Sequence, residues 1–232
     1  MIFLSQPARR VSKKVLHYTQ TFTIFNAQSG TAKSITTFLK NIVVFASGSG
    51  TNFQSIIDAV QRGELSARIS GLITNKPGIG AIERAEKNDI PVKVINPKEL
   101  SSDRDFEEAL SQQLEAWDAD LIALAGYLKK IPSSVIKKYS NRILNIHPSL
   151  LPKFGGKGFY GSNVHKAVLE AGETESGCTV HIVTEEFDEG PILAQIKVPV
   201  HENDTPEDLA KRILKEEHRL YPQTIQKHLQ NL

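Results

Sequence analysis

The stretch Asn41-Ile42-Val43-Val44-Phe45-Ala46-Ser47-Gly48-Ser49-Gly50-Thr51-Asn52 decides the fold. Ile42 to Ala46 is a continuous apolar run, as expected of a strand buried on both faces of a parallel sheet rather than one with a wet side. The run gives way to a glycine-rich loop, and after it Phe53, Ile56, Ile57 and Val60 recur at helical spacing. Strand, glycine loop and helix in that order put the loop at a helix N-terminus, where backbone N–H groups lack intrahelical partners.

What the loop lacks limits what it can bind. A dinucleotide site calls for a third glycine three residues after the second, where this chain has Phe53. It also calls for an acidic residue at the end of the second strand, where Thr74 and Asn75 stand. A nucleoside-triphosphate loop calls for Lys followed by Ser or Thr, which is missing as well. N–H groups at a helix start, with the hydroxyls of Ser49 and Thr51, suit a single phosphate; a tight turn required only for packing also accounts for them.

Outward from this stretch, strand and helix alternate. Strands are predicted at Ile69 to Ile73, Val92 to Ile95 and Leu121 to Ala125, and helices at Ile82 to Asn88 and about Arg104 to Glu115. A short helix at about Ser134 to Tyr139 leads to the strand Arg142 to His147, and a helix at about Val164 to Ala171 follows a second glycine-rich loop. The fold class is therefore α/β: a Rossmann-like, mostly parallel twisted sheet flanked by helices. From Gly177 the period changes to two, and Thr179 to Val183 and Ile192 to Val198 are predicted as an antiparallel strand pair near the C-terminal part. A last helix opens at Thr205-Pro206-Glu207-Asp208, with capping-box spacing and Pro at its first position, and runs to about Leu229.

Composition sets the domain limits and excludes several partners. With 232 residues, 40% of them hydrophobic, the chain can bury a sizeable core. Residues 41–232 are expected to form a single domain, preceded by an unstructured or targeting-like extension over residues 1–40. That extension carries Arg9, Arg10, Lys13, Lys14, Lys33 and Lys40 and no acid, so the remaining 22 basic and 26 acidic residues give the body a charge of about −4. A mildly acidic body lacks the basic face a nucleic-acid binder needs. No apolar run approaches the roughly 20 residues that span a bilayer, so no membrane partner is expected. Cys178 is the only cysteine, which excludes an internal disulfide and a cysteine-based zinc site. The expected location is the cytoplasm, or an organelle if residues 1–40 are a transit peptide.

The candidate chemistry lies at the end of the strand Arg142-Ile143-Leu144-Asn145-Ile146-His147, which stops at Pro148 because the proline ring removes a ladder donor. Alternation projects Asn145 and His147 from one face at the strand's carboxyl end. His181, in a row with Thr179 and Val183, is read as a satisfied core or rim histidine. Asp188, in the charged run Glu185 to Gly190, is read by itself as part of a solvated loop. At 100° per residue Glu217 falls within the apolar stripe of Leu209, Ile213 and Leu220. An inward carboxylate needs a partner, either a ligand amine or an internal salt bridge.

Jointly, these residues resemble the phosphoribosylglycinamide formyltransferases of the folate-dependent formyltransferase superfamily. The resemblance rests on Phe45 to Asn52, Thr74-Asn75-Lys76, Glu83-Arg84-Ala85, Leu124 to Tyr127, Asn145 to Pro152, Val180-His181, Phe187 to Pro191 and Glu217-His218. It implies an enzyme of purine biosynthesis that moves a formyl group from the co-substrate 10-formyltetrahydrofolate to the glycine amine of 5-phosphoribosylglycinamide. By the match, Asn145, His147 and Asp188 are catalytic and no metal is required. Asn145 supplies an N–H to the oxyanion, His147 donates a proton or hydrogen bond, and Asp188 favours a charged imidazolium. Gly50, Thr51 and Asn52 hold the phosphate, Glu217 holds the glycinamide end, and Arg84, Leu128, Lys129, Lys130, Ile131 and Asn145 line the folate pocket. A monomer or homodimer is expected.

The chain departs from the family pattern at Lys129-Lys130-Ile131, where many members have arginine, and in the long loop Phe154 to Gly161, which looks like a plant-type and Bacteroidetes-type form. Two other readings stay open. A formyltetrahydrofolate hydrolase would keep the Asn, His and Asp but add an N-terminal regulatory domain, for which forty unpatterned residues are too few. A non-catalytic folate- or phosphate-binding module is the reading from a different class.

Overall fold

The computed structural model describes residues 19–26 and 31–232, with side chains from Leu39 onward. The chain divides into two compact units, one ending at Leu39 and the other running Lys40–Leu232. In the first, β1 (Thr19–Asn26) pairs antiparallel with β2 (Thr31–Phe38). This corrects the expectation of an unstructured extension over those two strands. Both are rich in the β-branched and aromatic types, threonine, isoleucine and phenylalanine, that favour extended backbone. The targeting-like reading of residues 1–18 and 27–30 lies outside the described residues.

The second unit runs β3 (Lys40–Ala46), α1 (Thr51–Gln61), β4 (Ala67–Thr74), α2 (Gly80–Glu86), β5 (Val92–Val94), α3 (Asp103–Ala116), β6 (Leu121–Leu124) and α4 (Ser133–Lys138). It continues with β7 (Ile143–His147), α5 (Ser162–Glu170), β8 (Glu175–Ile182), β9 (Ile192–Pro199) and α6 (Pro206–Leu229). The strands form one sheet in the order β5-β4-β3-β6-β7-β8-β9. The first five are parallel; β8 to β9 is antiparallel, as the change of period predicted, and β7 to β8 is antiparallel as well. β8 begins at Glu175, four residues before the predicted start, because Glu175, Ser176 and Gly177 carry no apolar alternation to announce it.

Strand order fixes where a ligand can sit. From β3 the chain moves outward to β4 and β5, then returns to β6 on the other side of β3. The crevice beyond the carboxyl ends of β3 and β6 is a topological switch point, the usual ligand position in open α/β sheets. Both faces of the sheet are covered. Ile42, Val44 and Ala46 pack in one core with residues of α1, α2, α5 and α6, while Val43 and Phe45 pack in the other with residues of α3 and α4. The uninterrupted apolar run in β3 follows from this double burial.

Gly71 has no room for a side chain on the second face. The β3–β4 ladder slips one residue between Ile42 and Val43, and a Cβ on Gly71 would lie 2.2 Å from a Trp117 ring carbon. Gly71→Ala is expected to cost about 1–3 kcal/mol, since the indole must shift within a packed wall. Urea unfolding of the two proteins measures the difference; equal midpoints would mean the ring relocates freely.

The last helix is set by its cap and its stripe. Thr205 Oγ accepts from the Asp208 N–H, and the Asp208 carboxylate accepts from the Thr205 N–H, the reciprocal pair that the spacing predicted. Leu209, Ile213, Glu217, Leu220 and Tyr221 then face the core. The Tyr221 hydroxyl reaches the carbonyls of Leu124 and Leu144 at 3.0 and 2.9 Å. It thereby fixes α6 against the ends of β6 and β7, beside the switch-point crevice.

Candidate active site

The glycine loop after β3 turns into α1 through Gly50, whose φ of 73° is left-handed and whose Cβ, if present, would lie 2.7 Å from Ala81 Cβ. Glycine alone fits both constraints. No side chain caps α1, so the helix start is available to an anion. The loop is tied to its neighbours through Ser47. Its N–H donates to the Gly126 carbonyl at 3.1 Å, its hydroxyl donates to Asn75 Oδ1 at 2.5 Å, and the Leu128 N–H donates back to its Oγ at 3.0 Å. The ends of β3, β4 and β6 are thus held as one rim.

A cavity of about 540 Å³ opens above this rim and contains Asn145, His147, Asp188, Asn52, Glu217, Leu128 and Lys129. A smaller cavity of about 100 Å³ shares Tyr127, Lys129, Asn145, Phe187 and Asp188 with it and adds Lys130, Ile131 and His181. The sequence separation closed here is large. β7 delivers Asn145 and His147, the turn after β8 delivers Asp188, and α6 delivers Glu217. Leu128, Phe159, Tyr160 and Phe187 stay exposed around the larger cavity, giving it an apolar rim.

His147 is 4% exposed. Its Nε2 lies 2.8 Å from the Phe154 carbonyl, which can only accept, so Nε2 carries a proton. Its Nδ1 faces Asp188 Oδ2 at 3.6 Å. Burial pushes the imidazole below the ordinary histidine range. Asp188 and the Phe154 carbonyl pull it upward and His181 pulls it downward, but burial prevails. Asp188 thus favours the imidazolium against a larger opposing effect of burial, and Nε2 carries its hydrogen in either protonation state.

Asp188 sits in a left-handed backbone conformation, φ 57°, that turns its carboxylate inward from the charged run. Its Oδ2 accepts from the Gly156 N–H at 2.9 Å. Burial pushes the carboxyl up, but the bond from His181, the charges of both imidazoles and the Gly156 amide together hold it below its ordinary value. The loop Phe154 to Gly161 therefore touches both members of the pair, by a carbonyl on His147 and an amide on Asp188.

His181 is the residue whose place sequence reasoning missed. It is buried and satisfied, as read, but its partners are the site itself. β7–β8 pairing sets Asn145 directly opposite His181, and Asn145 Nδ2 lies 3.0 Å from His181 Nε2. His181 Nδ1 donates to the Ile182 carbonyl at 3.0 Å, so in the neutral ring Nε2 accepts from Asn145. That bond fixes the Asn145 amide and leaves its second N–H free to point at a ligand. In the charged ring Nε2 instead donates toward Asp188 Oδ1, 3.4 Å away.

On α6, Glu217 is 6% exposed and its Oε2 accepts from Asn52 Nδ2 at 2.6 Å. The internal salt bridge considered for it is replaced by this neutral partner. Burial pushes the Glu217 carboxyl up, and the Asn52 bond opposes that. Asn52 Oδ1 is enclosed and has no partner. A carboxylate and an orphan amide oxygen side by side call for a donor-rich ligand group, such as an amine or amide.

Three expected binding residues line neither the large cavity nor the small one. Arg84, on α2, donates to the Ser49 carbonyl at 2.9 Å and to Gln54 Oε1 at 3.0 Å. It lines a separate groove with Thr51, Gln54 and His218, and the structure does not bring it to residues 128–131. The helical register of α2 turns it toward the start of α1. Gly50 is the residue before α1 and Thr51 its first, but neither lines the large cavity, which Asn52 enters alone from that turn. Among the described residues no group of three His, Cys, Asp or Glu side chains is arranged to hold a metal ion. No helix among them is long and apolar enough to cross a membrane.

The Formyl transferase family model matches residues 40–225, and the chain, with its switch-point fold, Asn–His strand end and inward carboxylates, belongs to that family. Within it the chain groups with the phosphoribosylglycinamide formyltransferases. It is 40% identical to the protein of that name from Haemophilus influenzae over 187 residues, 81% of this chain and 86% of the relative. It is 49% identical to the chloroplastic one from Arabidopsis thaliana over 80% of this chain, but spans only 64% of that relative's length, under two thirds. Among solved structures, the glycinamide ribonucleotide transformylase 1 of Symbiobacterium toebii superposes with a TM-score of 0.77 at 42% identity, covering 82% of this chain and 88% of that one.

Proposed function

We propose that the chain transfers the formyl group of 10-formyltetrahydrofolate to the glycine amine of 5-phosphoribosylglycinamide. The observation that carries this reading is the buried Glu217–Asn52 pair, with its unpartnered amide oxygen, in the same cavity as Asn145, His147 and Asp188. The amine nitrogen attacks the formyl carbon and a tetrahedral oxyanion develops. The C–N bond to N10 of the folate then breaks, and a proton passes from the amine to N10. Asn145 offers its second N–H to the oxyanion, and His147 offers the Nε2–H now held by Phe154. Asp188 accepts from the attacking amine, directly or through water. The apolar rim of Leu128 and Phe187 and the adjoining small cavity suit the folate's planar rings. The start of α1, from Gly50 to Asn52, suits the phosphate.

A formyltetrahydrofolate hydrolase needs only water as acceptor, and the Glu217–Asn52 pair would then have no ligand group to serve. Formyl transfer to phosphoribosylglycinamide, followed by loss of the folate's formyl absorbance, tests the proposal. Release of formate without transfer would support the hydrolase instead. In the same assay Glu217→Gln is expected to raise KM for the ribonucleotide about 10- to 100-fold, the range for removing a charged hydrogen-bond acceptor. KM for the folate should stay nearly constant; equal shifts in both would place Glu217 outside the amine subsite. Residues 1–40 suit an organelle-targeting segment and the Arabidopsis relative is named chloroplastic. N-terminal sequencing of the native protein distinguishes a removed segment from a retained one.

A further inference from the structure

His165 belongs to none of the groups described so far. It lies in the first half of α5, is 6% exposed, and lines the large cavity between the glycine-rich loop and the α6 residues Lys211 and Leu214. Its Nδ1 is enclosed and has no hydrogen-bond partner. The other two histidines of the site differ. His147 and His181 each have a ring nitrogen fixed by a backbone carbonyl, at 2.8 and 3.0 Å, and the opposite one turned to another site residue. Because Nδ1 is enclosed, a ligand in the cavity can meet this ring only through Nε2.

The ring's chemistry says what it can offer. Burial, reinforced by His147 and opposed by Glu207, pushes His165 below the ordinary range, which favours the neutral ring with its single proton. An enclosed N–H without an acceptor costs more than an enclosed lone pair, which places the proton on Nε2, the nitrogen left to face the cavity. His165 also shares the α6 side of the cavity with Glu217 and does not line the small adjoining cavity that holds Ile131 and His181. Its ligand is therefore on the ribonucleotide's side rather than the folate's.

Resting on the function proposed above, we infer that His165 is a further substrate-binding residue whose Nε2–H donates to an oxygen of the ribose phosphate of phosphoribosylglycinamide. Both a sugar hydroxyl and the phosphate present such an acceptor. The residue contributes to affinity for the ribonucleotide and leaves the folate subsite untouched.

Calorimetric titration with phosphoribosylglycinamide reads this contact without relying on turnover, so it stands apart from the formyl-transfer assay that tests the reaction itself. His165→Leu is expected to weaken binding roughly tenfold, the value of one net hydrogen bond. His165→Gln, whose amide N–H reaches the Nε2 position, should recover most of the loss, while His165→Asn, whose amide lies nearer Nδ1, should not. KM for the ribonucleotide should follow the same order with the folate KM and kcat nearly unchanged. Titration with the dephosphorylated ribosylglycinamide separates the two acceptors: a persisting Leu penalty assigns the sugar, and its disappearance assigns the phosphate. Equal affinity of the Leu and Gln variants, or a matching loss of folate affinity, would overturn the inference and leave His165 as packing. Thermal unfolding of each variant identifies any that lose the fold, and for those His165→Gln alone against the unaltered protein gives the comparison.

Discussion

His147→Ala is expected to lower kcat about 100- to 10,000-fold, the range lost when a positioned proton donor or acceptor is removed, while both substrates bind within a few-fold of their former affinity. The split follows from the geometry. Neither ring nitrogen of His147 is spent on holding α1 or α6, where Asn52 and Glu217 meet; they address only Phe154 and Asp188. Their loss removes a donor at the reacting carbon without dismantling the amine subsite. A confounding effect is the Phe154 carbonyl, left without its principal donor, because the nearby Ser149 hydroxyl, 3.5 Å away, donates its one hydrogen to the Lys153 carbonyl at 2.7 Å. His147→Asn supplies an amide N–H in the same region, so it controls for loop collapse. Steady-state kinetics with direct binding of each substrate decides the matter. Turnover unchanged in the Ala variant would remove His147 from the chemistry, and a parallel loss of binding would make it a scaffold for the loop.

The parts of this site that could be read from sequence are those set by a local period. Asn145 and His147 share a face because they are two apart on a strand that proline terminates, and Glu217 faces inward because it is four residues from Ile213 on a helix. The β3 run and the glycine loop likewise follow from neighbours in the chain. Features set by register across strands were not readable. Nothing local in Val180-His181-Ile182 says that Asn145 lies opposite, since that pairing spans 36 positions. Arg84 illustrates the same limit, because its helix exists as predicted yet its orientation is fixed by packing against the start of α1. His165 did carry one local signal: Val164 and Val168 mark an inward stripe on α5, and His165 is buried beside them.

Asp188→Asn is expected to reduce kcat about 100- to 1000-fold, within the range for loss of a general base, and to move the acid limb of the pH profile. The sign follows from the charges. Asp188 raises the pKa of His147 against the larger depression from burial, so removing its charge lets that pKa fall further. If neutral His147 is the working form, kcat/KM rises with pH through the His147 pKa, and the limb shifts to lower pH in the Asn variant. Were the imidazolium the working form, kcat/KM would instead fall with rising pH, and the same substitution would shift that descending limb to lower pH. The direction of the slope in the unaltered enzyme separates the two, and the shift in the variant shows whether the group observed is His147. The Asn amide can still accept from the Gly156 N–H through its oxygen, so the loop contact that holds residue 188 in its left-handed turn is retained. A profile that keeps both shape and position while kcat drops would assign Asp188 to proton acceptance from the amine alone and uncouple it from His147.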